Sequence, residues 1–191
     1  KTVTAYGEAA FYGPKLDFMV RDALGRSWQL GTIQVDYNLP ERFQLEYIGE
    51  DGGRHRPIIV HRGVISTLER MTALLIEEYE GNFPVWLSPV QAVVIPIAAR
   101  HIEYAEEVAK QLKAAKLRVE VDARGERMNA KIRDAQLRKI PYMLIVGDRE
   151  AEAQAAALRV RGGGDLGAVP VTEILARLRK ERDEKSLMVG V

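Results

Sequence analysis

The stretch HRGVISTLER, residues 61–70, places a histidine and two arginines between PIIV at 57–60, which reads as a buried strand, and a long amphipathic segment. A guanidinium is planar and permanently charged, which suits phosphate oxygens whose charge shifts during a reaction. A lone imidazole at a strand end is usually structural. Arg70 by itself is also a solvated helix arginine with Glu69 beside it. The residue types therefore raise a question of chemistry that the surrounding pattern has to answer. Cysteine is absent from the 191 residues, which removes disulfides and thiolate metal sites.

The elements that position this stretch are mostly strands. KLDFMV at 15–20 alternates, with Leu16, Phe18 and Val20 on one face, and ALGR at 23–26 offers a turn before SWQLGTIQVDY. Together they predict an antiparallel hairpin. EDGG at 50–53 is a second turn, and the continuous hydrophobicity of PIIV predicts a strand buried on both faces. From about residue 64 to residue 80, Leu68, Met71, Leu75, Ile76 and Tyr79 recur at helical spacing.

NFPVWLSPVQ at 82–91 follows Gly81 with two prolines and reads as a short linker over 82–89, dividing a domain at 1–81 from one at 90–191. Beyond it AVVIPI at 92–97, LRVEV at 117–121, YMLIVG at 142–147 and AALRVR at 156–161 read as strands. HIEYAEEVAKQLKAA and MNAKIRDAQLRKI read as helices between them. GGGDLG at 162–167 is predicted to be a flexible turn, and Thr172 to cap a last helix, EILARLRKERDEK. The predicted class is α/β: an α+β first lobe with an antiparallel sheet, then a domain with a mixed sheet flanked by helices.

Composition narrows the function classes. The chain is 47% hydrophobic and 29% charged, which suits a folded protein with a real core. No run of about 18 apolar residues is present, and the first residues lack a basic segment followed by an apolar one. Membrane spans and secretion signals drop out, and the cytoplasm is the expected location. Residues 1–89 hold nine Lys and Arg against twelve Asp and Glu, whereas 90–191 hold nineteen against fifteen. That asymmetry points weakly to a polyanionic partner for the second part. No Walker loop is present, and GGGDLG at 162–167 follows a strand but leads into a proline before its helix, which disfavours a plain nucleotide-binding α/β protein.

A strand ending in HR, a turn of small residues and a helix opening with LER resemble motif 3 of the class II aminoacyl-tRNA synthetases, in the form carried by the threonyl-tRNA synthetase family. GEAAFYGPKLDF at 7–18, RSWQLGTIQVDYNLPERF at 26–43, YIGEDGGRHRPIIVHR at 47–62 and KIRDAQLRKIPYMLIVGDRE at 131–150 resemble that family in the same order. The resemblance implies that Arg70 grips the tail of ATP and acts with Gln29 and Lys15 in catalysis. Tyr12, Gln34 and Thr67 are then implied to line the pocket for the amino acid and its adenylate. Gln29 and Gln34 are five apart and would face opposite sides of an unbroken strand, so a shared pocket requires a bulge near Gly31. Leu30, where many relatives have cysteine, is expected in the core, and Thr67 replaces a more usual serine.

His61 matches the family's zinc-binding histidine, where threonine's amino and hydroxyl groups complete the metal shell and valine is rejected. The remaining zinc ligands of the family would lie upstream of Lys1, so this chain is not expected to hold zinc tightly. His55 and His101 are expected to be surface histidines. The strand end is expected to deliver the His61 imidazole and the Arg70 guanidinium into one cleft. In the second domain, Arg133, Glu150 and Arg159 fall where anticodon bases are contacted, with Arg127 and Lys131 nearby. Gly125 and Asn129 depart from the commoner residues there.

The implied activity is ATP-dependent activation of threonine and its transfer to threonine tRNA, with ATP, Mg2+ and Zn2+, by an enzyme that is a homodimer in its full-length form. Motif 1, the motif 2 arginine and the editing domains would precede Lys1. The expectation is therefore a fragment that does not form threonyl adenylate alone. The alternative is a noncatalytic tRNA-binding or regulatory module derived from the same domains.

Overall fold

The computed structural model describes residues 2–190, and Lys1 and Val191, the outer residues of the two domains expected from sequence, lie outside the described residues. The chain divides into two compact units, Lys1–Glu78 and Tyr79–Val191. In the first unit, β1 (Lys15–Arg21) and β2 (Ser27–Asp36) form the hairpin. A short helix α1 (Asn38–Arg42) and a small ladder of β3 (Tyr47–Ile48) and β4 (Arg54–His55) follow. β5 (Ile59–Gly63) then pairs antiparallel with β2, giving the order β1-β2-β5, and α2 (Leu68–Glu78) ends the unit.

The predicted bulge is present. Phe18 pairs with Gly31 and Met19 with Gln29, so Leu30 has no partner on β1. Leu30 is half-buried rather than a core residue. PIIV is not buried on both faces: Ile58 is 54% and Val60 58% exposed. A continuous apolar run signals double burial only where layers cover both faces of its sheet, and β5 is an edge strand in a sheet of three. α2 starts later than the periodicity suggests because Ser66 takes a left-handed φ of 59° and Thr67 Oγ1 accepts the Arg70 N–H at 3.3 Å.

Every side chain of the buried hydrophobic core lies in the second unit. Its elements are β6 (Ala92–Pro96), a 3-10 turn (Ala99–His101), α3 (Ile102–Ala114), β7 (Val119–Val121) and α4 (Met128–Leu137). β8 (Tyr142–Val146), α5 (Asp148–Glu152), β9 (Ala155–Val160), β10 (Gly164–Pro170) and α6 (Val171–Asp183) complete it. The sheet order is β10-β9-β8-β6-β7, with β6, β7 and β8 parallel and β9 and β10 antiparallel. Val94, Tyr142, Leu144 and Val146 pack with Val108 and Leu112 of α3 and Ile174 and Leu178 of α6. Val93, Ile95, Met143 and Ile145 pack with Ile132 and Ala135 of α4 on the other face. Helices on both faces explain why these strands read as unbroken apolar runs.

Three expectations are corrected here. GGGDLG is largely strand, since β10 begins at Gly164 and pairs with β9 through an irregularity between Asp165 and Ala168. Thr172 is inside α6, which follows Pro170 with no side-chain cap; proline fixes the entering φ at −56° instead. The 82–89 stretch read as a linker is packed into the second unit. Val85 is in the core, Arg118 Nη2 donates to Ser88 O at 2.7 Å, and Arg161 Nη2 donates to Phe83 O at 2.6 Å.

Tyr142 and Glu181 form a buried polar contact in this core. The Tyr142 hydroxyl donates to Glu181 Oε1 at 2.5 Å, and the Gly190 N–H donates to the same oxygen at 3.1 Å. Burial first, and then the bond to Glu181, push the phenol well above its ordinary 10.0. Tyr142→Phe leaves a buried carboxylate short of a donor and is expected to cost about 1–3 kcal/mol near neutrality. Because the folded phenol titrates above the unfolded one, the wild-type advantage is complete below pH 10.0 and shrinks as pH rises beyond it. Urea unfolding of both proteins at about pH 8 and about pH 11 measures this, and an advantage that holds or grows at the higher pH contradicts it.

Candidate functional site

Register builds the site of the first unit. Gln34 on β2 lies opposite Lys15 on β1 and His61 on β5, and directly opposed residues share a face. Thr32 and Asp36 extend that face along β2, and Asp17 extends it along β1. Tyr12 precedes β1, donates its hydroxyl to Gln34 Oε1 at 2.6 Å, and meets the His61 ring edge-on at 5.8 Å between centroids. Its place is set by a close backbone approach: a Cβ at Gly13 would fall 2.0 Å from Val35 O. The bulge at Leu30 turns Gln29 to the same face, where Nε2 donates to Asp17 Oδ1 at 2.7 Å. Lys15 Nζ lies 2.8 Å from Asp17 Oδ2, a hydrogen bond that raises the lysine and lowers the carboxyl. Tyr12, Lys15, Gln29, Gln34 and His61 are thus brought together.

His61 Nε2 lies 2.9 Å from Oδ2 of Asp36, whose side chain is fully buried. Asp36 Oδ1 also accepts the N–H groups of Asn38 and Leu39 at 2.9 and 3.0 Å. Burial pushes the Asp36 carboxyl up, but the bonds from His61, Leu39 and Asn38 outweigh it and hold the group below the usual carboxylate value. An ionised carboxylate only accepts, so Nε2 carries the proton of a neutral His61 and Nδ1 is left as acceptor or ligand atom. Metal-bound histidines are oriented by carboxylates in this way. Among the described residues, however, no three His, Cys, Asp or Glu gather to hold a metal ion.

Arg70 is held by groups other than those around His61. Its Nη1 donates to Gln29 O at 3.1 Å and Ser66 Oγ at 3.2 Å, and its guanidinium lies over the Trp28 ring at 5.3 Å. Trp28 pairs with Val20, so its side chain belongs to the opposite face of β2 from Gln34. The indole N–H donates to Asp22 Oδ2 at 2.9 Å. Asp22 has a fully buried side chain that also accepts from Leu24 N at 3.0 Å, Arg26 N at 2.8 Å and Arg26 Nε at 2.5 Å. Burial raises this carboxyl, and the bonds from Trp28 and Arg26 bring it down to about 2. Thr67 stands at the start of α2, where its hydroxyl acts as a cap.

In the second unit the carboxyl ends of the parallel strands form a crevice, the usual ligand position in an open α/β sheet. Arg127 and Arg133 are exposed at the start and along the side of α4. Lys131, expected near RNA, is instead only 4% exposed, with Nζ donating to Pro96 O at 3.2 Å beside a cavity of about 270 Å³ lined by Ala98, Arg124 and Gly125. Its position on α4 points the amine inward to the end of β6. Glu150 reaches back to accept the Gly147 N–H at 3.0 Å, which fixes one oxygen at the start of α5. Arg159 stands on β9 opposite Met143 and pairs with Asp165 at 3.0 Å, apart from that crevice.

His55 is exposed as expected, but His101 is 4% exposed. Its Nε2 lies 2.8 Å from Asp148 Oδ1, and Nδ1 accepts the Ala98 N–H at 3.3 Å. Arg100 grips Asp148 with Nε at 3.0 Å and Nη2 at 2.6 Å. These bonds, Arg100 before His101, hold the Asp148 carboxyl well below the usual range. They tie the end of β6 to the end of β8. Sequence reasoning missed Asp36, Asp22, Trp28 and Asp148. Only Asp22 carried a local signal, since DALG at 22–25 is a turn sequence whose aspartate can accept turn N–H groups.

Residues 1–79 match the family described as tRNA synthetase class II core domain (G, H, P, S and T), and residues 91–181 match the anticodon binding domain. Threonine--tRNA ligase of Acidobacterium capsulatum is 56% identical over 183 residues, covering 96% of this chain and 27% of the relative. The Thermus thermophilus ligase is 56% identical over 181 residues, covering 95% of this chain and 28% of the relative. The chain thus spans little more than a quarter of the length of these curated relatives. The solved RNA binding domain of threonyl-tRNA synthetase from Cryptosporidium parvum Iowa II superposes with a TM-score of 0.84 at 38% identity, over 91% of this chain and 44% of that one. No helix among the described residues is long and apolar enough to cross a membrane. With two domain matches in sequence order and ligase relatives aligned across both, the chain belongs to the threonyl-tRNA synthetase family of class II aminoacyl-tRNA synthetases.

Proposed function

We propose that this chain takes part in the ATP-dependent attachment of threonine to its tRNA, the first unit forming one wall of the activation pocket and the second reading the anticodon. The observation that carries this reading is the single polar face on which Tyr12, Lys15, Gln29, Gln34 and His61 converge. Threonine presents an ammonium, a carboxylate and a hydroxyl, and such a face offers amide, phenol and imidazole groups to hold them in one orientation. Arg70 uses Nη1 internally, and its Nε and Nη2 make no hydrogen bond among the described residues. That edge suits the phosphate oxygens of ATP.

In the activation step the threonine carboxylate attacks the α-phosphorus, forming threonyl adenylate and releasing pyrophosphate. A terminal tRNA hydroxyl then takes the acyl group and AMP leaves. A preset cation beside the phosphates is worth most as charge redistributes in the first step. The reading includes Mg2+ with ATP and Zn2+ with His61 as one ligand, and neither ion has a complete donor set among the described residues. It also carries a dimeric assembly and a cytoplasmic location.

The first unit leaves Leu16, Phe18, Ile58 and Val60 exposed. Apolar surface of that extent supports a unit that works against further polypeptide. The purified 191-residue chain is therefore expected to show no threonine-dependent pyrophosphate exchange, and detectable exchange would mean that this face is a complete active site. A noncatalytic tRNA-binding module is the second reading, favoured by the likeness of the chain to a solved RNA binding domain. For either reading Arg133→Ala tests anticodon contact at an exposed position. Its affinity for threonine tRNA is expected to fall about tenfold, with under about threefold loss for an unrelated tRNA. Equal losses in a filter-binding titration would reduce Arg133 to a phosphate contact.

A further inference from the structure

We infer that Trp28 is a positioning residue for ATP, holding the Arg70 guanidinium as a preset phosphate fork, and that Asp22 fixes the indole in place. The inference rests on reading Arg70 as the residue that meets ATP. An arginine side chain has four rotatable bonds, and here its far end is held by an aromatic ring and two hydrogen bonds. The guanidinium carbon lies over the indole ring, 5.3 Å from its centroid, where the ring quadrupole attracts a cation. Nη1 is spent on Gln29 O and Ser66 Oγ. What remains is the Nε and Nη2 edge, the pair of parallel N–H directions that fits two oxygens of one phosphate.

The platform is itself held. The Trp28 N–H ends on Asp22, and Asp22 is anchored by the backbone N–H groups of Leu24 and Arg26 in the turn between β1 and β2. Arg26 adds a second cation at 5.7 Å from the same indole and reaches Glu77 of α2 at 3.2 Å. The helix that carries Arg70 in its first turn is therefore tied to the hairpin that carries its platform. A leucine at 28 would fill space without attracting a cation and would leave a buried carboxylate without one of its donors. The indole supplies both groups at once.

Threonine-dependent pyrophosphate exchange in the complete ligase tests this. Trp28→Leu is expected to raise the KM for ATP about tenfold while the KM for threonine stays within about twofold, and Trp28→Phe, which keeps a ring under the guanidinium, to recover most of the loss. A purely structural role would move both KM values together and would show no recovery by phenylalanine. An unchanged KM for ATP in folded Trp28→Leu overturns the inference. Arg70→Lys in the same assay separates the two levels: if it too leaves the KM for ATP unchanged, the reading of Arg70 has failed. If it raises that KM and Trp28→Leu does not, the platform alone has failed. Should Trp28→Leu lose its cooperative melt, Asp22→Asn takes its place, turning an amide toward the indole N–H. A rise of about threefold in the KM for ATP with threonine unaffected is then expected, and no rise overturns the inference.

Discussion

One unpaired residue, Leu30, determines what the first unit can do. Side chains of a strand alternate strictly, so a partner five residues from Gln34 belongs on the other side of the sheet. The bulge resets the alternation between Gln29 and Thr32, and Gln29 reaches Asp17 while Gln34 reaches Tyr12 on one surface. Its cost is a local break in the ladder, and its location beside Gly31 limits that cost. A Cβ there would sit 3.2 Å from both the Phe18 ring and Val64 O, so glycine is the residue that lets β1 and the chain after β5 close around the bulge. Shifted by one residue, the row of Lys15, Gln34 and His61 would lose its neighbour in Gln29.

The two units stabilise themselves by different means. The second covers both faces of its sheet with helices and buries eighteen residues in one cluster and seven in the other, so the parallel strands are held by apolar packing. Polar groups that enter that core are mostly paired, as in Tyr142 with Glu181 Oε1 and Gln91 with Val85 O at 2.7 Å, while Glu181 Oε2 and Trp86 Nε1 have no partner among the described residues. Among the described residues the first unit has no such cluster. Its order comes from strand pairing and from carboxylates that collect turn N–H groups, which suits a surface meant to meet polar ligands.

Periodicity revealed most elements because it records burial, and burial is local in a strand or helix whose covering layers are present. The strands at 92–96, 119–121, 142–146 and 155–160 and the helices between them lie close to where their patterns put them. Two kinds of feature escaped. β10 has glycine at 164 and 167 and proline at its end, so nothing in its composition resembles a strand; it exists because β9 offers an unpaired edge. PIIV carries the pattern of a doubly covered strand but lies at the edge of a small sheet, since the pattern reports hydrophobicity and not what covers it. The polar partners were hidden for a related reason. Asp36 and His61 are 25 residues apart, and Asp148 and His101 are 47 apart, so each pairing becomes visible only once the sheet has brought distant loops together.

Asp22 and Asp36 show the same device used twice. Each stands at a strand terminus, each has a fully buried side chain, and each accepts two backbone N–H groups of the following turn and one N–H of an aromatic ring. A buried carboxylate is expensive unless its lone pairs are filled, and the turn fills them whether or not the ring is present. The ring therefore arrives at an acceptor already held in position, and its orientation is set by the backbone instead of by side-chain packing. For His61 this chooses which nitrogen carries the proton, and for Trp28 it chooses the plane that faces Arg70. Asparagine could satisfy either turn with its carbonyl oxygen, but at 22 its amide would set N–H against the indole N–H, and at 36 it would donate to the imidazole and move the ring proton to the other nitrogen. The charge of the aspartate, more than its shape, is what couples the end of a strand to the orientation of a functional ring.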